Sequence, residues 1–381
     1  MFFCYLGYGG LLFLFNSLKL LFFYQGKPSS TDEQLPVTII VASYNEAAVL
    51  KSEIRNTLRI NYPAELLKII FVVDGSTDAS VAMICEHPSI QLIHLPERVG
   101  KYAAINAALS MVHTPVVVFS DANAMLNEDC LLRMIPHYSN PKVGGVAGEK
   151  KIISPERFSA VGSAEGLYWK YESFMKKQDA AFFTVVGAAG ELFSVRTALI
   201  PSFKENLILD DFVISVNVCL KGFIIAYEPG AFASESPSIS LKEEEKRKIR
   251  ISAGAYQAIG YLKEALNFIK HPLLAFQYLF RRLFRWTLCP LLLIVLILSN
   301  LMIVTGTLEH KFYFWFFCLQ LLFYMMASGG WLFARKGKRT GIATIPFYFL
   351  FMNYCLVRGF ITYLRGQQTV LWEKAVREAV Q

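Results

Sequence analysis

Apolar and polar positions divide the chain into three regimes. The first residues, "MFFCYLGYGGLLFLFNSLKLLFF", form an almost continuous apolar run interrupted by Asn16 and Lys19. From about Pro36 the pattern changes. Short β-favouring runs, each ending in polar residues, alternate with segments of helical spacing. The strand candidates are "PVTIIVASYNE", "LKIIFVVDGSTD", "SIQLIHL" and "TPVVVFSDAN", and the helix candidates between them include "AAVLKSEIRNTLRI" and "GKYAAINAALSMV". From about Thr287 to Leu364 long apolar stretches return. "TLCPLLLIVLILSNLMIVTGT" and "FYFWFFCLQLLFYMMASGGWLF" have the length a bilayer core requires, and "ATIPFYFLFMNYCLVRGFITYL" is a third such stretch that carries Arg358.

Strands alternating with helices of about 12 residues predict βαβ units and an α/β fold with a mainly parallel sheet covered on both faces. In such sheets ligands bind beyond the carboxyl ends of the strands. The residues delivered there are Ser43, Tyr44, Asn45 and Glu46, then Asp74, Gly75, Ser76 and Asp78, then Asp121 and Asn123. Each group also has a plain role as turn or helix-capping chemistry. Their convergence on one edge is more informative than any one of them. No G-x-G-x-x-G opens the first helix and no Walker A sequence is present, which disfavours a dinucleotide dehydrogenase or a P-loop enzyme. Carboxylates meet phosphate through a divalent cation, Mg²⁺ or Mn²⁺, so Asp121 and Asn123 are candidate metal ligands for a diphosphate-bearing substrate.

Composition sharpens the membrane reading. Of 381 residues, 54% are hydrophobic and 18% charged, and Phe occurs 31 times. Lys19 and Lys27 follow the first apolar run. Arg281, Arg282 and Arg285 precede the second, and Arg335, Lys336, Lys338 and Arg339 follow the third. Placing these clusters in the cytoplasm puts the middle block there and the "TLEHK" loop outside. Four crossings would then carry the basic tail "RGQQTVLWEKAVR" outside, against the same rule. The net charge of +8 is mostly juxtamembrane and suits lipid headgroups, not nucleic acid. Seven scattered cysteines without a C-x-x-C pair fit a reduced compartment. "FQYLFRRLFRW" reads as an amphipathic helix lying in the interface. The expected organisation is an N-terminal membrane anchor over 1–25, a cytosolic domain over 36–240, interfacial helices over 241–286, transmembrane helices over 287–364 and a tail over 365–381.

"VASYNEAAVL", "VVDGSTDAS", "GKYAAINAAL" and "FSDANA", followed in order by "YWKYE", "GAAGELFSVR", "LDDFVISVNVCLKGF" and "EEEKRKIRISAG", resemble the membrane-bound family-2 glycosyltransferases. Relatives include hyaluronan, chitin, cellulose and poly-N-acetylglucosamine synthases. The resemblance covers about Pro36 to Tyr256 and implies the nucleotide-sugar transferase type A (GT-A) fold. It implies roles for Glu46, Asp74 and Lys101 in holding a nucleotide-sugar donor, for Asp121 and Asn123 at the cation, and for Asp211 as general base with Asp210 in support. Arg250 would contact the donor pyrophosphate, with Arg247 on the same helix face. Three positions depart from the family pattern. Asn123 stands where D-x-D has its second acid, "LDD" replaces T-E-D, and Arg247 and Ile251 replace the Gln and Trp of Q-x-x-R-W. The resemblance implies an inverting transfer from a UDP-sugar to a glycan or lipid-linked acceptor at the inner membrane, with possible export or regulatory subunits. Two other readings stand beside it: a polyprenyl-phosphate glycosyltransferase, and a non-enzymatic glycan-binding or export protein.

Overall fold

The computed structural model describes residues 1–22, 34–153, 160–201, 207–238, 240–306 and 311–371. Lys27, the loop over 307–310 and the tail beyond Leu371 lie outside them.

The four runs expected as strands are strands: β1 (Val37–Ser43), β2 (Leu67–Asp74), β3 (Gln91–Leu95) and β4 (Val116–Asp121). Four more follow: β5 (Met125–Leu126), β6 (Val143–Ile152), β7 (Phe193–Arg196) and β8 (Ile224–Glu235). They form one sheet in the order β3-β2-β1-β4-β7-β6-β8-β5. β1 pairs in parallel with β2 and β4, and β2 with β3. β7 runs antiparallel between β4 and β6, β8 is parallel to β6, and β5 closes that edge antiparallel to β8.

Burial explains the unbroken apolar runs. β1 is buried on both faces: Ile40 and Ala42 enter one core and Val37, Ile39 and Val41 the other. β2 and β4 divide the same way, with Ile70, Val72, Val117 and Phe119 on the first side and Phe71, Val73, Val116 and Val118 on the second. Helices Lys101–Leu109 and Asp210–Leu220 cover the first face, and Ala47–Leu58 and Cys130–Met134 the second. A helix buries one stripe while a central strand buries both sides, which is why the strands read as continuous apolar runs and the helices as periodic ones.

Helix Ala160–Phe182 joins the sheet to the apolar helices. Its Met175 packs on Tyr8 and Leu12 of the N-terminal helix, and Tyr8 Oη donates to Asp179 at 2.6 Å. Its acids also capture the arginines of the 272–286 segment. Arg281 binds Glu172 at 2.7 Å and Asp179 at 2.9 Å, and Arg285 binds Glu172 at 3.1 Å. Arg281 is fully buried, so these side chains point into the protein and not toward headgroups as the amphipathic reading expects. Opposite charges and three guanidinium bonds to the Glu172 and Asp179 carboxylates make that burial tolerable.

Among the described residues, four helical stretches are long and apolar enough to cross a membrane: Phe3–Phe22, Leu288–Gly306, Lys311–Arg335 and Gly341–Leu364. The last differs from the others in its neighbours. Helix Thr344–Leu364 lies alongside the charged helix Leu241–Tyr261, and a Cβ at Gly359 would stand 2.4 Å from Ser252 Cβ. Tyr348 Oη donates to the buried Glu244 at 3.1 Å, and Tyr354 Oη to Glu245 at 3.2 Å. Arg358 is exposed and donates to Tyr354 Oη at 2.7 Å. The chain then turns at Gly366 and runs over the domain, with Val370 against Gly100.

Candidate active site

The tips of β1 and β4, the turn Gly187–Glu191, the start of helix Asp210–Leu220 and one face of helix Leu241–Tyr261 enclose a cleft of about 680 Å³. Glu46, Lys101, Asp121 and Asn123 line it from the sheet side. Asp210, Asp211, Arg247 and Arg250 line it from the helices. Gln367–Leu371 of the tail lie along the same opening.

Asp74 is placed differently. Its carboxylate is fully buried and accepts from Val99 N–H at 2.7 Å and Gly100 N–H at 2.9 Å. In this arrangement it fixes the loop that presents Lys101. Gly75, at φ +62°, permits the close approach, since a Cβ there would meet Arg98 N at 2.6 Å. Beside it the first loop is tied to the second: Asn45 N–H donates to Ser76 Oγ at 2.9 Å and Ala47 N–H to Asp78 at 2.9 Å. Glu46, buried and lining the cleft, immediately precedes helix Ala47–Leu58.

Charge in the cleft is dense. Lys101 Nζ lies 2.5 Å from Asp121 Oδ1. Burial works against the ammonium, but Asp121, Asp210 and Asp211 outweigh it and hold its pKa above the ordinary lysine value. Asp211 is pushed up to about 7, first by burial and then by Asp210, with Lys101 opposing. The helix start places both acids there, and Asp211 accepts from Phe212 N–H at 2.8 Å. Arg247 is committed to Glu165 at 2.5 Å and Glu244 at 2.9 Å. Arg250 has no carboxylate within ion-pair distance among the described residues, and burial lowers its pKa.

Asp121, Glu191 and Glu235 bring carboxylate oxygens within 4.8 Å of one another. Hard oxygen donors in that number fit Mg²⁺ or Mn²⁺. Asn123 lines the cleft next to Asp121 but is an amide, whereas Glu191 and Glu235 bring two further acids to Asp121. Lys150, almost fully buried, bonds to Glu191 and lies 2.6 Å from Glu235, balancing them from within. Glu191, in "GAAGELF", has no role among the residues expected from the sequence. The signal available was an acid inside a small-residue turn. Nothing in the local sequence marks Lys150 or Glu235, which meet across the β6–β8 pairing.

Comparison with known proteins bears on the family and the fold. Residues 38–199 match the family Glycosyl transferase family 2. The chain therefore carries a family-2 glycosyltransferase domain. Among curated relatives, the poly-beta-1,6-N-acetyl-D-glucosamine synthase of Staphylococcus aureus (strain COL) is 24% identical over 263 residues, 66% of this chain and 62% of that protein. The beta-monoglucosyldiacylglycerol synthase of Synechocystis sp. is 25% identical over 205 residues, 50% of this chain and 42% of that protein. The chain thus spans less than two thirds of the length of these relatives. Among solved structures, mannosyltransferase PcManGT from Pyrobaculum calidifontis, in complex with GDP-Man and Mn²⁺, superposes with a TM-score of 0.68 at 19% identity, covering 94% of this chain and 96% of that one. The shared fold is the mixed, mostly parallel GT-A-like sheet.

Proposed function

We propose that the protein transfers a sugar, with inversion, from a nucleotide-sugar to a hydroxyl of a glycan or lipid-linked acceptor at the cytoplasmic face of the membrane. The observation that carries this is Asp211: a carboxylate raised to about 7 in the cleft that Lys101, Asp121 and Arg250 also line. A base tuned near neutral pH accepts a proton without staying protonated.

Asp211 takes the proton from the acceptor hydroxyl. The oxygen's electron pair forms the new bond to the anomeric carbon, and the bond from that carbon to the donor phosphate oxygen breaks. The pair leaves with the nucleoside diphosphate, whose developing charge Arg250 and Lys101 are placed to receive as donors. A divalent cation held by Asp121, with Glu191 and Glu235, supplies further positive charge to the diphosphate when bound. One displacement inverts the anomeric centre.

The two curated relatives support different acceptors, one a polysaccharide and the other a lipid. The donor is read as a UDP-sugar from the family resemblance, while the mannosyltransferase neighbour carries GDP-Man. The test is a screen of radiolabelled UDP- and GDP-sugars on membranes containing the full chain, with lipid and polymer products read separately. Labelled product from one donor is the expected result. No transfer and no nucleoside diphosphate release from any donor would overturn the assignment.

A further inference from the structure

The cleft extends beyond the residues that face the donor. Its inner wall comes from helix Ala160–Phe182, through Tyr168, Trp169, Glu172 and Lys176, and from Arg282 and Lys248. Most of the cations along the cleft have acidic partners. Lys101 has Asp121, Arg247 has Glu165 and Glu244, Lys248 has Glu244 at 3.6 Å, and Arg282 has Glu172 at 3.5 Å. Two cations have no carboxylate within ion-pair distance among the described residues: Arg250, which the proposed mechanism assigns to the donor diphosphate, and Lys176.

Lys176 is 3% exposed. Its ammonium donates to the carbonyl of Gly148 at 3.4 Å, and otherwise lies 5.8 Å from the Trp169 ring and 5.9 Å from the Tyr227 ring. The nearby acids are engaged elsewhere. Glu149 accepts from Ser173 and Tyr227, Glu172 binds Arg281 and Arg285, and Glu191 binds Lys150. Burial lowers the Lys176 pKa, the direction expected of an ammonium that has lost water without gaining a counter-ion. Next to it the Trp169 indole N–H is buried without an acceptor among the described residues. A three-donor ammonium and an indole N–H are both donor-only groups. A wall carrying both is short of acceptor oxygens and of negative charge. Lys176, Trp169, Glu191 and Asp211 all line the one cleft, so this wall and the proposed base belong to one neighbourhood.

We infer that Lys176, with Trp169, holds an anionic group of the acceptor, a phosphate or a carboxylate, while the acceptor's hydroxyl is presented to Asp211. The inference rests on the transferase reading and narrows its acceptor to an anionic one. The leaving diphosphate and the acceptor anion then have separate cations, Arg250 and Lys176, which keeps two like charges from competing for one site. Two sources share this chemistry: the phosphate that links a sugar to a lipid, and the carboxylate of an acidic sugar.

The test is direct binding without donor. Decyl phosphate, a decyl glucuronide and the neutral decyl glucoside are titrated into the full chain in a neutral detergent by calorimetry. At least one anionic compound should bind at least tenfold tighter than the glucoside, and which one does so identifies the source. Lys176→Met should remove that preference, Lys176→Arg should restore part of it, and the surface variant Lys270→Met should leave it unchanged. Equal binding of all three compounds, or an anion preference that survives Lys176→Met, would overturn the inference. Should Lys176→Met misfold, as its melting curve would show, Arg250→Met in the same titration decides: an anion preference that survives it supports the inference, and one that is lost with it overturns the inference. Failure of the transferase reading is distinguishable, because it appears as absent donor turnover in the membrane screen and not in this titration.

Discussion

Lys101 Nζ stands 2.5 Å from Asp121 Oδ1, so a side-chain ammonium occupies a position against the carboxylate from which a cation would be held. The first prediction follows from that competition. Asp121→Ala should weaken Mn²⁺ binding at least about tenfold, as removal of a metal-organising group does, and should nearly abolish transfer. Lys101→Met should tighten Mn²⁺ binding while reducing transfer, because the competing charge and the diphosphate contact go together. Electron paramagnetic resonance of free Mn²⁺ reads the first quantity without turnover. Full transfer activity in EDTA would sink the metal assignment.

A second prediction concerns Gly190. A Cβ there would lie 3.1 Å from Lys101 Nζ and 3.3 Å from Asp211 Oδ2, between the base and the cation that faces it. Gly190→Ala should fold normally, since its contacts are the ends of side chains. It should lower kcat by roughly 10- to 100-fold through misplacement of the reacting groups. An Ala variant with wild-type kcat would show that Asp211 and Lys101 need not hold this spacing.

The third prediction is about sidedness. Cys85 is exposed, whereas Cys130 and Cys219 are buried and should be silent. A membrane-impermeant thiol reagent should reach Cys85 only after cells are lysed. The tail makes the sharper case. Four crossings would place it opposite the catalytic domain, yet Val370 Cγ2 lies 3.5 Å from the position a Cβ would take at Gly100. Val370→Cys should therefore share the sidedness of Cys85. Labelling of Val370→Cys in intact cells while Cys85 stays protected would contradict this packing.

How much of this was legible in the sequence depended on whether local pattern or tertiary pairing made the element. β1, β2 and β4 were legible because burial on both faces leaves an apolar run that ends where the polar loop starts. β6 was not, because "VGGVAGEKKI" carries glycines and charges; Lys150 is buried there only because Glu191 and Glu235 come to it from other elements. The arginines before Leu288 read as headgroup ligands because their partners, Glu172 and Asp179, lie about 100 residues earlier, at separations of 109 and 102 for Arg281. Asp121, Lys101 and Asp211 were legible through family motifs, and the cleft brings them together. Asp74 stands in its own family motif, "VVDGSTDAS", yet the loop over 99–100 takes its carboxylate, a contact no local pattern announces. Lys176 lies four residues beyond the "YWKYE" stretch, one helical turn past Glu172, and a buried lysine without a carboxylate partner among the described residues looks in sequence like any surface lysine.

The last prediction turns on Asp211. Its pKa of about 7 means that transfer should rise with pH through that value, as the carboxylate becomes able to accept a proton. Asp210 is the second cause of the elevation, after burial. Asp210→Asn removes a neighbouring negative charge, so it should lower the Asp211 pKa and move the acid limb of kcat toward lower pH, with a milder loss of rate. Asp211→Asn keeps the shape but cannot take a proton, and loss of a general base costs about 10²–10⁴ in rate. Affinity for the nucleoside diphosphate should change by less than about tenfold, roughly 1.4 kcal/mol, because Lys101 and Arg250 remain. Stability should move the opposite way. A carboxyl whose folded pKa is raised binds its proton more tightly in the folded state, so its contribution falls as pH rises from the unfolded value near 3.8 to about 7. At pH 8 that cost is fully present, and Asp211→Asn removes it, so the variant should melt higher than wild type at pH 8 and show less advantage at pH 5. A variant that is inactive and also less stable at pH 8 would point to a structural carboxylate. One that retains most of its transfer activity would remove Asp211 from the role of base and leave an acceptor that arrives already ionised, needing no proton taken from it.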